Sequence, residues 1–401
     1  MSVRRKVVFF AETVTLAHVA RPVTLASGLD PSKFDVTLAW HPRYETLFPV
    51  LPFATRKIRS IEPAQFLATL DAGRPSYDVE TLVRYVEEDL QILDELRPDV
   101  VVGDFRLSLS VSARLRKIPY VNITNAYWSP YADVEIPVPD VAPLSGLPTW
   151  IAKTLFRVVR PFVFARNAEP MRAAHRFFGV PPPPRDVRAA YTLADFVAYV
   201  DLPALVPMPR IPSNHHCIGP LLWSPSGRYP DWWDDMLAMR APKVYVTLGS
   251  SGAQSILPKV LAALADVSCI ALVATAGRDV GLAPSDRVLI ADYLPGAEAA
   301  AASDLVICNG GSPTSYQALS MECPVFGICT NLDQQLNMRV LEAFGAGIGE
   351  VASRASAAKI RDAFNTLNTG ESYRVRAREL ARLIRDAEPP HTGFGRLLAR
   401  I

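Results

Sequence analysis

The sequence lacks the features that mark several large classes of protein. Its formal net charge is only +2 over 401 residues, so nothing in the overall balance calls for nucleic acid or an anionic polymer as a partner. Charged residues make up 20% of the chain and hydrophobic residues 49%, proportions typical of globular enzymes and not of disordered proteins. The chain is too long for one ordinary core, and we expect two or three domains.

Cysteines and long apolar runs are also scarce. The five cysteines form no C-x-x-C pair, which predicts buried, reduced thiols. No run reaches the roughly 18 to 20 apolar residues of a membrane span, and the first apolar run is too short for a secretion signal. His215, His216 and Cys217 are adjacent and lack the spacing of metal ligands. We therefore predict a cytoplasmic protein that needs no metal.

One apolar segment, from Trp150 to Ala165, includes three basic residues, Lys153, Arg157 and Arg160. Such a segment could lie on a membrane surface. The mouth of a pocket for an apolar substrate, or plain core packing, is the interpretation we prefer. A peripheral membrane contact stays open as the alternative.

Short apolar runs alternate with helical patterns in both halves of the chain. Uninterrupted β-branched runs between helices indicate parallel strands covered on both faces, so the predicted fold class is α/β, doubly wound. Strands are predicted at Lys6 to Phe10, Phe34 to Ala39, Asp99 to Val102, Tyr120 to Ile123, Val244 to Leu248, Ile270 to Thr275, Val288 to Ala291, Leu305 to Cys308 and Val325 to Cys329. Helices are predicted at Val79 to Leu96 and Leu107 to Arg116.

Prolines crowd the stretch from Pro203 to Pro242, where regular periodicity fades, as in an interdomain connection. The predicted domains are an N-terminal Rossmann-like domain over 1–205, a linker over 206–241 and a C-terminal Rossmann-like domain over 242–385. A last helix over 386–401 is expected to pack back on the first domain. Ligands of such sheets bind beyond the carboxyl ends of the strands, which predicts a cleft between the domains.

The stretch from Ser303 to Gly349 combines several features of a phosphate site. A strand leads into a glycine turn at Gly310 and Gly311, and then into a helix with Ser312 as its N-cap and Pro313 in its first turn. Glycines allow close approach of the backbone, and the N–H groups of a first helical turn attract a phosphate. After the next strand, a polar loop holds three side chains suited to sugar hydroxyls, namely Asp333, Gln334 and Asn337.

This stretch resembles the nucleotide-sugar glycosyltransferases of family 1, which have the GT-B fold of two facing Rossmann-like domains. The family pattern is H-G-G-x-G-T-x-x-E-A-L, then G-V-P, then D-Q-x-x-N and G-x-G. The matching residues here are Gly310, Gly311, Thr314, Ala318, Leu319, Pro324, Asp333, Gln334, Asn337, Gly345 and Gly347. The resemblance implies that the C-terminal half binds a UDP- or dTDP-sugar.

Three residues of the donor site depart from the family pattern. Asn309 replaces the histidine that touches the diphosphate, and it can donate a hydrogen bond but supplies no charge. Pro313 replaces a glycine and removes one backbone donor. Gln317 replaces the glutamate that binds the ribose, and its hydrogen bonds are weaker than those of a carboxylate.

Two further segments resemble the family's donor site. The sequence VTLGSS matches a strand and loop that approach the diphosphate, which adds Gly249 and Ser250 to the predicted site. The sequence ADYLP matches a segment that flanks the nucleobase, which adds Tyr293. Gly296 stands where the family has a glutamine.

Transfer of a sugar to a hydroxyl needs a base, and imidazole suits that role near neutral pH. His18, in the loop after the first strand, lies in a segment that resembles the family's G-H-x-x-P. Asp104 follows another strand, resembles the family's aspartate, and is expected to orient His18. Two alternatives for Asp104 stay open, namely the N-cap of the helix near Leu107 and an ion pair with Arg106.

The resemblance implies inverting, metal-independent transfer of a hexose or deoxyhexose to a small natural-product or lipid-like acceptor. The predicted acceptor wall follows a strand of the first half and comprises Asn125, Tyr127, Trp128 and Tyr131, with core packing as the alternative. The protein is expected to be a monomer or homodimer. Two rivals stay open: a catalytically degenerate protein that binds nucleotides or activates a partner, and an epimerase or phosphorylase of the same architecture.

Overall fold

The computed structural model describes residues 4–141, 144–225, 228–249, 252, 254–281 and 283–401. These residues form two compact units. The first unit comprises the described residues of Met1–Asp133, Leu147–Leu221 and Glu388–Ile401. The second comprises those of Val134–Gly146 and Leu222–Ala387.

The first unit contains one parallel sheet of seven strands. The strands are β1 (Arg5–Ala11), β2 (Phe34–Trp40), β3 (Ala54–Lys57), β4 (Val100–Asp104), β5 (Tyr120–Thr124), β6 (Phe196–Tyr199) and β7 (His215–Cys217). Their order in the sheet is β3-β2-β1-β4-β5-β6-β7. The helices that follow these strands are α1 (Ala17–Ser27), α2 (Pro63–Asp71), α3 (Val79–Leu96), α4 (Leu109–Arg116), α5 (Thr149–Phe177) and α6 (Val187–Tyr191).

The second unit contains a parallel sheet of six strands. These are β8 (Lys243–Thr247), β9 (Ile270–Ala274), β10 (Val288–Ala291), β11 (Leu305–Cys308), β12 (Val325–Cys329) and β13 (Gly347–Val351), in the order β10-β9-β8-β11-β12-β13. The helices are α7 (Trp233–Ala238), α8 (Leu257–Ala265), α9 (Gly296–Ala301), α10 (Ser312–Ser320), α11 (Leu332–Phe344), α12 (Ala357–Thr369) and α13 (Glu371–Asp386). Two sheets of parallel strands covered by helices confirm the predicted fold class.

The central strands show why the sequence adopts this fold. All five residues of β4 are buried, as are the last five of β1, because helices cover both faces of the sheet. The amphipathic helix α3 begins after Asp78, whose side chain accepts a hydrogen bond from the amide of Thr81. It ends at Arg97, which adopts the left-handed conformation. The sequence predicted the observed bounds of α3, β10 and β11.

Regular structure extends further into the proline-rich stretch than the sequence indicated. The predicted linker over residues 206–241 contains β7, which pairs with β6 in the first sheet. Residues 134–146, assigned to the N-terminal domain, group with the second unit. A strand of three residues, HHC, is too short for hydrophobic alternation to reveal it.

The last helix, α14 (Pro390–Arg400), belongs to the first unit. The ring of Phe394 lies 6.1 Å from that of Phe9 in β1, measured between centroids. The guanidinium of Arg5 donates a hydrogen bond of 2.6 Å to the carbonyl of Leu398. None of the helices in the described part of the chain is long and apolar enough to cross a membrane.

Candidate active site

His18 and Asp104 meet at the carboxyl edge of the first sheet. His18 lies in the first turn of α1, directly after the loop that follows β1. Asp104 is the last residue of β4 and pairs with Ala11, the last residue of β1, so the helix after β1 begins beside it. Nδ1 of His18 lies 2.7 Å from Oδ1 of Asp104. The carboxylate is fully buried, whereas 18% of the imidazole side chain is exposed.

A third charged residue, Arg21, completes this cluster. It follows His18 by three residues, which places both side chains on the same face of α1. Its Nε donates to Oδ2 of Asp104 and its Nη2 to Oδ1, both at 2.7 Å, as a bidentate pair. Nη2 also lies 2.8 Å from Nδ1 of His18. The imidazole therefore has two alternatives: Nδ1 donates to Asp104, or it accepts from Arg21.

Both alternatives considered for Asp104 are wrong. The residue before α4 is Ser108, four residues beyond Asp104, so the carboxylate does not cap that helix. Arg106 forms a different set of ion pairs, with Nη1 3.1 Å from Glu12 and Nε 3.0 Å from Asp89. Burial raises the pKa of each of these two carboxyls, and the guanidinium of Arg106 opposes the rise. The arginine is fully buried, so this network is part of the core.

Aromatic rings line the side of His18. Phe105, the residue after Asp104, stacks on the imidazole with the ring centroids 4.8 Å apart and the planes 15° from parallel. Its φ of +57° is in the left-handed region, which costs a bulky residue on the order of 1–3 kcal/mol. Three more rings pack on Phe105 at centroid distances of 5.7, 5.9 and 5.6 Å, those of Phe66, Tyr77 and Tyr191. Phe105 and Tyr191 are half-buried, whereas Phe66 and Tyr77 are buried, so this aromatic cluster forms an apolar wall on one side of the partly exposed imidazole.

Two of the predicted acceptor residues are buried. Asn125 accepts a hydrogen bond of 2.7 Å from Arg21 and donates to the carboxylate of Asp201 at 3.2 and 3.3 Å. It therefore extends the polar cluster behind Asp104. The side chain of Tyr127 is only 1% exposed and lies in the core, as the alternative interpretation held.

The other two predicted acceptor residues lie nearer the surface. Trp128 is half-buried, and its ring lies 5.7 Å from that of Tyr191, at the border of the aromatic cluster. Tyr131 is 42% exposed, and its ring is nearly perpendicular to that of His215, with the ring centroids 5.5 Å apart. Only Trp128 among the four thus adjoins the wall beside the imidazole.

In the second unit, two predicted donor segments meet at the ends of the neighbouring strands β8 and β11. Gly249 has φ +60°, and a Cβ on it would lie 3.5 Å from Nδ2 of Asn309. Oδ1 of Asn309 accepts a hydrogen bond of 3.0 Å from the amide of Gly311, which turns the amide nitrogen of Asn309 towards Gly249. Ser250 lies outside the described residues.

The glycine turn is tightly packed. Gly310 has φ +79°, and a Cβ on it would lie only 2.7 Å from Met338 and 2.8 Å from Cys329. The helix after the turn begins at Ser312 with Gly311 as its N-cap, so the assignment of Ser312 as N-cap is wrong by one residue.

This shift decides what the helix end can offer an anion. Of the four amides that a helix end presents, that of Gly311 already donates to Asn309, and Pro313 has none. At most two amides can therefore meet a diphosphate, one of them that of Thr314, whose side chain is half-buried.

Asp333, Gln334 and Asn337 lie on α11 and not in a loop, so that prediction is wrong. The physical reason is Asn331, whose side chain accepts a hydrogen bond from the amide of Gln334 and starts the helix there. The carboxylate of Asp333, in the first turn, is half-buried.

Two of the amide side chains on α11, those of Gln334 and Asn337, hold the loop before the helix and the glycine turn. Gln334 is 2% exposed and accepts hydrogen bonds from the amide and hydroxyl of Thr330 at 2.8 and 3.0 Å. Asn337 is 3% exposed and donates to the carbonyl of Gly310 at 2.8 Å and to the hydroxyl of Ser315 at 3.1 Å. Gln334 therefore fixes the loop before α11, and Asn337 fixes the glycine turn.

Two more predicted donor residues have partners within the second unit. Gln317 is 9% exposed and donates to the carbonyl of Trp223 at 2.7 Å and to the hydroxyl of Ser224. Tyr293 is 41% exposed, and its hydroxyl donates to the carbonyl of Ala276 at 3.2 Å. Tyr293 is thus the more accessible of the two for a ligand.

Comparison with known proteins decides the family. A PGL/p-HBAD biosynthesis rhamnosyltransferase of Mycobacterium bovis is 45% identical over 379 residues, 94% of this chain and 84% of the relative. A PGL/p-HBAD biosynthesis glycosyltransferase of Mycobacterium tuberculosis is 43% identical over 378 residues, 94% of this chain and 88% of the relative. The spinosyn rhamnosyltransferase SpnG, solved with thymidine diphosphate, superposes with a TM-score of 0.68 at 20% identity, over 97% of this chain and 98% of SpnG. The chain is a GT-B glycosyltransferase. No family model matches its sequence.

The residues that sequence analysis of this glycosyltransferase missed lie mostly in the first unit. Arg21 had a signal, because it lies one helical turn beyond His18. Phe66, Tyr77 and Tyr191 had none, because they come from three separate segments that only the folded chain brings together. Among the described residues of the glycosyltransferase, no group of three or more His, Cys, Asp or Glu is placed to hold a metal ion.

Proposed function

We propose that this glycosyltransferase transfers a hexose or deoxyhexose, with a 6-deoxyhexose of the rhamnose type favoured, from a dTDP- or UDP-sugar to a hydroxyl of an apolar acceptor. The observation that carries the proposal is the 2.7 Å contact between His18 and the buried Asp104, with the imidazole partly exposed. The rhamnose preference rests on the relative that is 45% identical and is named a rhamnosyltransferase.

His18 acts as the base in this proposal. With its Nδ1 proton donated to Asp104, its Nε2 lone pair is available to the acceptor hydroxyl. As Nε2 takes the proton of the acceptor hydroxyl, the acceptor oxygen forms a bond to the anomeric carbon. The bond from this carbon to the diphosphate breaks on the opposite side, and its electron pair leaves with the nucleoside diphosphate. The configuration at the anomeric carbon is therefore inverted.

Arg21 and Asn125 position the carboxylate rather than touch the substrate. The guanidinium holds both oxygens of Asp104, and Asn125 holds the guanidinium through its own oxygen. A fixed, anionic Asp104 favours the tautomer in which Nδ1 carries the proton and stabilises the imidazolium that forms. The 2.8 Å contact of Arg21 with Nδ1 works against that tautomer, so the carboxylate must win this competition for catalysis.

In this proposal, uncharged hydrogen-bond donors stabilise the leaving diphosphate. Asn309 and the N-terminal end of α10 supply hydrogen bonds and the positive end of a helix dipole. We propose that these suffice without a metal ion, and that a chelator leaves turnover unchanged. The aromatic cluster on Phe105 is proposed to hold the apolar part of the acceptor. The structural neighbour SpnG has been solved with spinosyn aglycone, and that structure superposes on this chain with a TM-score of 0.65.

The test combines nucleotide binding with turnover. We expect dTDP or UDP to raise the melting temperature while GDP does not, and His18→Ala to abolish transfer with dTDP or UDP affinity within about two-fold of the original. His391→Ala, at an exposed histidine on α14, is the matched control and should keep full turnover. Surviving turnover in His18→Ala would show that the base is misassigned. Absence of a shift with every nucleotide would favour the degenerate, non-catalytic alternative.

A further inference from the structure

The first half of α5 exposes large apolar side chains to solvent. Trp150 is 72% exposed, Leu155 41%, Val158 66% and Phe162 75%. Single exposed apolar residues are common on proteins, but four on one helix form a patch. Core packing, one of the preferred interpretations of this segment, is therefore wrong for these four residues.

The patch lies on one side of the helix. At about 100° per residue, the four side chains fall within an arc of about 140°. The opposite side of α5 is buried in the first unit, through Ala152, Phe156 and Phe164. α5 is thus apolar both where it packs on the first unit and where it meets solvent. Packing of the core explains the buried face but not the exposed one.

Basic residues flank the exposed face. Lys153 and Arg157 lie along one border and Arg166 along the other, and all three are exposed. Between residues 149 and 168 the sequence contains four basic residues, these three and Arg160, and no acidic one. The face therefore combines apolar side chains with charge of a single sign.

We propose that this face of α5 docks the protein on the surface of an anionic lipid bilayer. Tryptophan and phenylalanine insert among headgroups, and long basic side chains extend from the border towards lipid phosphates. A second copy of the same face is a poorer occupant, because a twofold contact would bring Arg157 and Lys153 near their own equivalents. The proposal rests on this surface alone and does not depend on the proposed donor, acceptor or base.

The experiment is co-sedimentation of the full chain with vesicles. We expect binding to vesicles of equal parts phosphatidylglycerol and phosphatidylcholine, at least ten-fold weaker binding to phosphatidylcholine alone, and loss of binding in high salt. The double variant Trp150→Ser/Phe162→Ser should bind the anionic vesicles at least ten-fold more weakly. Val50→Ser/Leu237→Ser, at exposed apolar residues elsewhere, is the matched control and should bind like the original chain.

Three results would overturn the proposal, and a second variant replaces the first if the first does not fold. Equal binding by the original chain and Trp150→Ser/Phe162→Ser, or no binding by either, overturns it. Light scattering that shows a dimer broken by this variant, without vesicle binding, assigns the face to a second copy and also overturns it. If that variant does not fold, Arg157→Glu/Arg166→Glu serves instead, and unchanged binding to anionic vesicles then refutes the proposal.

Discussion

The pair formed by Arg21 and Asp104 offers a way to separate stability from catalysis. The two side chains are 7% and 0% exposed, and two hydrogen bonds of 2.7 Å join them. In Asp104→Asn, the new amide group presents a donor to a guanidinium that has only donors. In Arg21→Met, the buried carboxylate of Asp104 loses both hydrogen bonds from the guanidinium and keeps the one with His18. Each single change therefore leaves one buried group uncompensated.

The magnitude follows from burial. Removing one partner of a buried ion pair costs about 3–5 kcal/mol, because the other charge stays desolvated. We expect Asp104→Asn near the lower end, about 3 kcal/mol, since Asn keeps one acceptor oxygen. For a unit of this size that lowers the melting temperature by roughly 6–12 °C. The double variant Arg21→Met/Asp104→Asn removes both charges, and we expect it to be more stable than the sum of the singles predicts, by about 2–3 kcal/mol.

Turnover should not follow this recovery. Asp104→Asn is expected to lower kcat by up to about 10⁴-fold, because the imidazole loses the group that selects its tautomer. Arg21→Met should lower kcat by roughly ten-fold, since the carboxylate is held less firmly. The double variant should be as inactive as Asp104→Asn. The assays are urea unfolding of all four proteins and release of nucleoside diphosphate in the presence of acceptor.

Two results would refute this reasoning. Strict additivity of the two unfolding free energies would mean that Arg21 and Asp104 do not form an ion pair in the folded protein. Recovery of turnover in the double variant would mean that the charge of Asp104 is not required for transfer.

Three further predictions concern other parts of the molecule. Gly310→Ala should destabilise the protein by about 2–5 kcal/mol in urea unfolding, because φ is +79° and Met338 lies 2.7 Å from the new Cβ; a loss below 1 kcal/mol would contradict the packing. Asn337→Ala should cost about 1–3 kcal/mol, because the carbonyl of Gly310 loses its buried donor, and should weaken nucleotide binding in the same thermal-shift assay. Burial lowers the pKa of His215 to about 4 in the folded protein. As the pH drops from about 6.5 towards 4, this histidine is protonated in the unfolded chain before it is protonated in the folded one, so the free energy of unfolding falls. His215→Gln should remove that part of the pH dependence, and equal slopes for both proteins would show that the histidine does not contribute.

Much of the scaffold could be predicted because its signal is local. The β-branched runs gave parallel strands, and the motif spacing located the turn at Gly310. The roles of Gln334 and Asn337 could not be read from spacing, because an amide side chain can face a ligand or the backbone equally well. That choice depends on where α11 begins, which Asn331 sets.

The carboxyl edge of the first sheet, where His18 and Asp104 lie, shows the same division. Asp104 and His18 were predicted as partners, and the structure brings them together. Arg106 was the nearer arginine in sequence, yet Arg21 is the one that binds Asp104, because the fold buries Arg106 among other carboxylates. Proximity along the chain says little about a pair of long side chains once helices and strands are packed.

The return of α14 to the first unit has a consequence for biosynthesis. Phe9 leaves the ribosome long before Phe394, its partner, which is made only after the whole of the second unit. Until then the face of β1 and α1 that α14 covers stays open to water and to other chains. The nascent first unit therefore exposes apolar surface that favours aggregation, and shortening the chain before Pro390 would leave that face permanently uncovered.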